Sequence, residues 1–222
     1  GAALILTITH TVGHFNHDYQ LLTFEQSLGA VDWNVIFLLM GMMIIVGVLK
    51  ESGVFQWLAY KSFQLSKGRV FLLAASLCAV TAFLSAFLDN VTTMLLLTPV
   101  TIEISLVLGI SPFALLIPEI MASNFGGTAT LIGDPPNIMI GSYAGLSFND
   151  FMIHLTPVVI VTMVVQILYT KWYYGRDFSA AKVDNVEKTI VFLREKYRIT
   201  NLKLLYVGGS VLIGVILLFI LH

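Results

Sequence analysis

Gly126-Gly-Thr-Ala-Thr-Leu-Ile-Gly-Asp-Pro-Pro-Asn137 is a polar stretch between apolar runs, and its reading decides the fold. Two adjacent prolines remove helix donors and two adjacent glycines favour an unwound backbone. Lipid offers no partner to the freed amides and carbonyls. At membrane depth such a stretch must therefore be buried in protein or line a wet cavity. The pattern predicts an interrupted helix with a binding site at the break.

The surroundings place this stretch in a membrane. Of the 222 residues, 57% are hydrophobic and 11% charged, and the mean hydropathy is +0.88. The apolar runs approach the ~20 residues that cross a hydrocarbon layer of ~30 Å. A formal net charge of −1 argues against a nucleic-acid partner. Cys78 is the single cysteine, which excludes an internal disulfide; in an apolar run it reads as a small packing residue.

Working outward, Gly1 to Thr9 reads as the tail of a spanning helix, with no basic segment or cleavage site of a signal peptide before it. His10 to Asp32 is a polar loop without Lys or Arg. His10, His14 and His17 share helical spacing and form a candidate metal clip, although no cysteine pair or ligand framework supports it over a solvated loop. Trp33 to Leu49 is a spanning run opened by an interfacial Trp, with Gly41 and Gly47 allowing close packing. Lys50 to Arg69 turns amphipathic, with Phe55, Trp57, Leu58 and Phe63 among Lys61, Lys67 and Arg69, as in a helix lying in the interface.

Val70 to Leu88 and Met94 to Leu108 flank a polar tip, Asp89-Asn-Val-Thr-Thr93. Ser111 to Tyr143 holds the interrupted crossing, with Pro112, Pro118 and Glu119 ahead of the break. Phe151 to Thr170 spans and ends in an aromatic belt of Tyr169, Trp172, Tyr173 and Tyr174. Gly175 to Asn201 is a mixed-charge linker. Leu204 to Leu221 is a last apolar run, with Ser210 and Gly214 spaced for close helix packing.

All 12 Lys and Arg fall into two groups, at positions 50–69 and 171–203. The excess of basic residues in cytoplasmic loops puts both groups inside, and residues 10–32 and 142–150 outside. An even number of crossings must lie between the groups. Two full spans around the 89–93 tip satisfy this, and so does a re-entrant hairpin. The tip chemistry favours re-entry, because the segment lacks the usual turn formers and would bring a carboxylate, an amide and two hydroxyls to midplane. Half-helices meeting at a break also set a cation-attracting C-terminal end near an anion-attracting N-terminal end.

In residues 85–100 and 126–137 the sequence resembles the ion transporter superfamily, most closely the branch of arsenite permeases, NhaD-type sodium/proton antiporters and the melanosomal P protein. The resemblance runs from about Asp32 to Thr170. It implies an all-α integral membrane fold with one re-entrant helical hairpin and one broken transmembrane helix, forming one of two inverted repeats. Residues 1–174 would be the first repeat, 175–202 a cytoplasmic linker and 203–222 the first helix of a second repeat. By the resemblance, Asn90 with Thr92 or Thr93 matches the hairpin tip, and Gly127, Thr128, Pro135 and Asn137 match the broken-helix loop. Dicarboxylate carriers of the superfamily usually have Ser-Asn-Thr and Thr-Pro-Pro-Asn at these places, where this chain brings acids at 89 and 134.

The expected site comprises Asp89, Asn90, Thr92, Thr93, Asn124, Gly126, Gly127, Thr128, Thr130, Asp134, Pro135, Pro136 and Asn137. Sodium is a candidate ion at Asn90, Thr128 and Asn137, and sodium or a proton is the candidate coupling ion, with no organic cofactor. Glu103 and Glu119 are further acids without an assigned role. The expectation is a secondary active transporter, or its N-terminal half, for a small inorganic ion: arsenite or antimonite efflux, sodium/proton antiport or anion transport. The alternatives are a sodium-coupled citrate or dicarboxylate symporter and, from another class, an ion channel or a non-transporting scaffold. The expected partners are the lipid bilayer, a second repeat and a second copy in a homodimer. The location is the plasma or inner membrane of a prokaryote, or an organelle membrane if P-protein-like. No nucleophile-base order, metal-ligand set or phosphate loop suggests an enzyme.

Overall fold

The computed structural model describes Gly29 and residues 31–181 and 186–221. The first apolar segment and the histidines at 10, 14 and 17 lie outside the described residues. All regular structure among the described residues is helical. The helices are α1 (Trp33–Glu51), α2 (Val54–Ser66), α3 (Val70–Ser85), α4 (Asn90–Val107), α5 (Phe113–Thr128), α6 (Pro135–Ala144), α7 (Phe148–Tyr173), α8 (Gly175–Ala180), α9 (Val186–Lys196) and α10 (Leu202–Leu221). Four of them, α1, α4, α7 and α10, are long and apolar enough to cross a membrane. The protein is a multi-pass integral membrane protein.

Helix ends follow local chemistry. Asp32 Oδ1 accepts the Asn34 amide at 3.0 Å ahead of α1, and Asp89 Oδ1 accepts the Thr92 amide at 2.8 Å to cap α4. Ser147 and Asp150 form a reciprocal capping box at the start of α7. Gly145, in the left-handed region at φ 65°, closes α6.

From residue 39 onward the helices form one compact body. Its core joins Phe63 of α2, Leu73 and Leu77 of α3, Leu97, Val100 and Ile104 of α4, and Leu115 of α5. The amphipathic stretch expected in the interface does form a helix, α2. It buries Phe55, Ala59, Tyr60 and Phe63 in this core and sends Lys61 outward over the rings of Trp57 and Tyr60, at 5.5 and 5.8 Å.

Contacts from distant parts of the sequence converge at one end of the body. The Thr200 amide donates to Ser52 O at 2.9 Å and its hydroxyl to Glu51 O at 3.1 Å, beside the end of α1. Lys171, near the end of α7, stands 5.2 Å from the Phe71 ring in the first turn of α3. Lys196 Nζ pairs with Glu103 Oε1 of α4 at 2.7 Å, and Tyr197 donates its hydroxyl to Glu103 Oε2. At the opposite end Phe148 stacks on Phe219 at 5.8 Å and Asn149 donates to Ile220 O at 2.8 Å, so α7 and α10 run antiparallel. Lys61 of the first basic group and Arg194 and Arg198 of the second line one cavity.

The non-helical gap is narrower than the sequence suggests. Helix α5 continues through Gly126, Gly127 and Thr128, and α6 starts at Pro135, leaving only residues 129–134 outside helix. Proline at the first helical positions forfeits amides that would have no intrahelical partner, so Pro135 and Pro136 begin a helix rather than prevent one. The glycines are helical for a packing reason. A Cβ on Gly126 would overlap the Ala82 backbone of α3, so the two helices touch backbone to backbone there.

Candidate functional site

Four helix ends meet beside the break. The carboxyl ends of α3 and α5 and the amino ends of α4 and α6 converge there, although α6 opens on Pro135 and Pro136 and so presents no amide from its first two residues. Asn90, the first residue of α4, ties them together. Its Oδ1 accepts from Ser85 Oγ at the end of α3, and its Nδ2 lies 3.3 Å from Asn124 Oδ1 of α5 and 3.1 Å from Asp134 Oδ2 at the start of α6. Both amide hydrogens and the carbonyl are engaged, which fixes the side chain's orientation.

Beneath it, Ser123 Oγ of α5 lies 3.2 Å from Ser85 Oγ and 3.3 Å from the Asn90 carbonyl. Gly127 forms part of the same floor, for a Cβ there would collide with Asn90 Oδ1. The result brings the oxygens of Asn124 and Asp134 around one NH2 group. Asn90 thereby sets a carboxylate oxygen and an amide oxygen side by side, ligand types that a hard cation takes. Beside it opens a cavity of about 460 Å³, whose lining includes Asn90, Met94, Pro99, Ile120, Ser123 and Asn124.

The remaining residues expected at the site hold the break in shape. Asn137 Nδ2 donates to Gly127 O at 3.0 Å and Thr130 O at 2.9 Å, covering carbonyls at the end of α5. Thr130 Oγ1 donates to Ala86 O of the tip and accepts the Gly133 amide at 3.1 Å. Thr128 Oγ1 bonds back to Asn124 O at 2.9 Å within α5. Thr92 gives its amide to Asp89, while Thr93 is buried with no hydroxyl partner among the described residues.

The two acids separate. Asp89 uses an oxygen to cap its own helix. Asp134 occupies the equivalent position before α6, makes no cap bond, and accepts from Asn90 instead. Ser85 and Ser123 are members of the network that the site reading did not include. Their signal was available: Thr81 and Ser85 on α3, and Glu119 and Ser123 on α5, are polar pairs at i, i+4 in apolar helices, hence on one face of each.

The whole chain, residues 1–222, matches the CitMHS family, described as citrate transporters. An uncharacterised transporter of Mycobacterium tuberculosis is 40% identical over 225 residues, covering 100% of this chain and 49% of that protein. The 46 kDa membrane protein of Mycobacterium leprae is 47% identical over 86% of this chain and 44% of its own length. The human P protein is 45% identical over 152 residues, 66% of this chain and 18% of its own. The chain spans about half the length of the mycobacterial relatives it matches.

Proposed function

The chain belongs to the CitMHS citrate transporter family, a family of membrane transporters rather than enzymes, and from that premise we propose that it forms one repeat of a secondary active transporter whose ion site is the Asn90–Asn124–Asp134 junction. In this reading α3 and α4 are a re-entrant hairpin, and α5 with α6 is a broken transmembrane helix. The observation that carries it is the bond from Asn90 at the tip to Asp134 at the break. At 1.5 Å per residue, α5 and α6 reach about 24 and 15 Å, so each falls short of the ~30 Å layer and their junction lies within it. A tip hydrogen-bonded to that junction stops at the same depth.

Asp134 and Asn124 supply oxygens to a small cation such as sodium, Asn90 orients them, and Thr128 and Asn137 hold the backbone of the break. Asp89 fixes the tip. A second inverted repeat would complete the site from the side of the cavity, with residues 203–222 as its first helix, and two copies would form a dimer. Alternating access moves this junction between the two aqueous phases. Exchange of sodium against protons fits a junction that holds a carboxylate and no Lys or Arg among the described residues, while an arsenite-like oxyanion would be held through the side-chain amides of Asn90 and Asn124.

The family description favours a second reading, uptake of citrate. Here the bound cation would offset Asp134, and the amino end of α4 would face the carboxylates.

Flux in proteoliposomes of the full-length protein separates these readings. Sodium or arsenite movement driven by a proton gradient and lost in Asp134→Asn supports exchange. Sodium-dependent citrate accumulation supports the second reading. Saturable flux of either kind that survives Asp134→Asn removes the junction from the mechanism.

A further inference from the structure

One turn below the Ser85–Ser123–Asn90 network, the same two helices carry a second polar layer. Thr81 of α3 precedes Ser85 by four residues, and Glu119 of α5 precedes Ser123 by four, so both pairs stack along the α3–α5 contact. Thr81 Oγ1 donates to Glu119 Oε1 at 3.2 Å. Glu119 is fully buried, and its other oxygen, Oε2, has no hydrogen-bond partner among the described residues.

The groups around it can be named by element. Helix α3 presents Thr81 and the Cys78 thiol, α4 presents Thr101, and α7 places Gln166 nearby, its Nε2 on Pro118 O at 2.5 Å and 3.9 Å from Cys78 Sγ. None is a cation, and the ion pair formed among the described residues, Lys196 with Glu103, does not include Glu119. The Thr101 hydroxyl also lacks a partner. Hydroxyls are the donors on hand, and with no cation against it the ionised carboxylate would be a fully buried, uncompensated charge. One proton on Oε2 removes that charge and turns the oxygen into a donor, which the neighbouring Thr101 hydroxyl can accept.

We propose that Glu119 is a proton-binding site of this transporter, loaded as the neutral acid between Thr81 and Thr101 and linked to the ion junction one helical turn away. Loading adds a proton from one aqueous phase to Oε2, and unloading returns it to the other, with no bond to the transported ion. Proton release leaves a negative charge one turn below Ser123 and Asn90, which strengthens cation binding at the junction. Proton and cation therefore oppose each other, as exchange requires. The assignment rests on the transporter reading above, but Glu119 is enclosed by helices of this chain alone.

The test uses the purified full-length protein and two readouts. Infrared difference spectra across an acid-to-alkaline step should show a protonated-carboxyl C=O band that Glu119→Gln removes. In proteoliposomes under a sodium gradient, a pH-sensitive dye should report proton counterflow that Glu119→Gln reduces about tenfold or more, with sodium affinity becoming independent of pH. Thr101→Val keeps the carboxyl and should shift the band and its midpoint, which decides the matter if Glu119→Gln fails to fold. A band and counterflow untouched by Glu119→Gln would overturn the assignment, as would an unmoved midpoint in Thr101→Val. Loss of sodium binding in Glu119→Gln with the band intact would overturn it too, by making the site one for the cation. If the band is assigned to Glu119 but the wild type moves no ion, the proton site stands and the transporter reading falls.

Discussion

The link between α3 and α4 and the link between α5 and α6 are each a short non-helical segment ending in an acid, followed by the first turn of a helix. In sequence Asp89 and Asp134 look like equivalents. The structure uses them in opposite ways. Asp89 caps α4, whereas α6 begins on two prolines, whose missing amides leave Asp134 without a Pro135 or Pro136 amide to accept from. Its carboxylate turns to Asn90 instead. A cap is local and replaceable by other acceptors, and a charged oxygen shared between two segments is not.

The sharpest way to break this comparison is to neutralise each acid. Asp134→Asn should lower ion flux about 100-fold, corresponding to about 3 kcal/mol for a lost charged contact, with expression and monodispersity unchanged. Asp89→Asn should leave flux within about threefold, since Asn caps as well as Asp. Equal losses in tracer flux would make the acids equivalent after all. Next in size is Thr130→Val, which strips a donor from Ala86 O and an acceptor from the Gly133 amide. It should cost about 1–3 kcal/mol in detergent melting, more than any tip variant. Asp89→Ala should cost about 1 kcal/mol by the same measurement.

The smallest effect tests the outer contact that brings α4 back to the basic end. Burial first, and then the Glu103 carboxylate, hold the Tyr197 hydroxyl above the ordinary tyrosine range. A raised folded value gives stability that is complete below the unfolded pKa of about 10 and is lost as pH rises through the folded one. Tyr197→Phe should therefore be slightly less stable at neutral pH and show a shallower alkaline decline in a pH series of melting curves.

Much of this could be read in advance, and the physics explains which parts. Membrane spans are written in hydropathy, because lipid imposes one length on all of them. The non-helical segments before α4 and before α6 were visible because Asp, Asn, Gly and Pro are costly in apolar runs. The limits of the break were harder to see. Gly126 and Gly127 stay helical because α3 presses against them, a tertiary fact that propensity alone misses. Asp89 and Asp134 could not be told apart until the partners of their oxygens were known. Ser85 and Ser123 escaped because a hydroxyl in an apolar helix is common, and only its i, i+4 companion marks a polar face.

The contact of Gly126 with Ala82 has a mechanical consequence. With no side chain between them, α3 and α5 bear on each other as rigid rods, and the tip rides on the end of one while the break rides on the end of the other. Sliding the tip away from the break would require this seam to shear, against backbone that cannot deform cheaply. A displacement that carries both rods together leaves the seam intact. Tip and junction are thus coupled mechanically as a single piece.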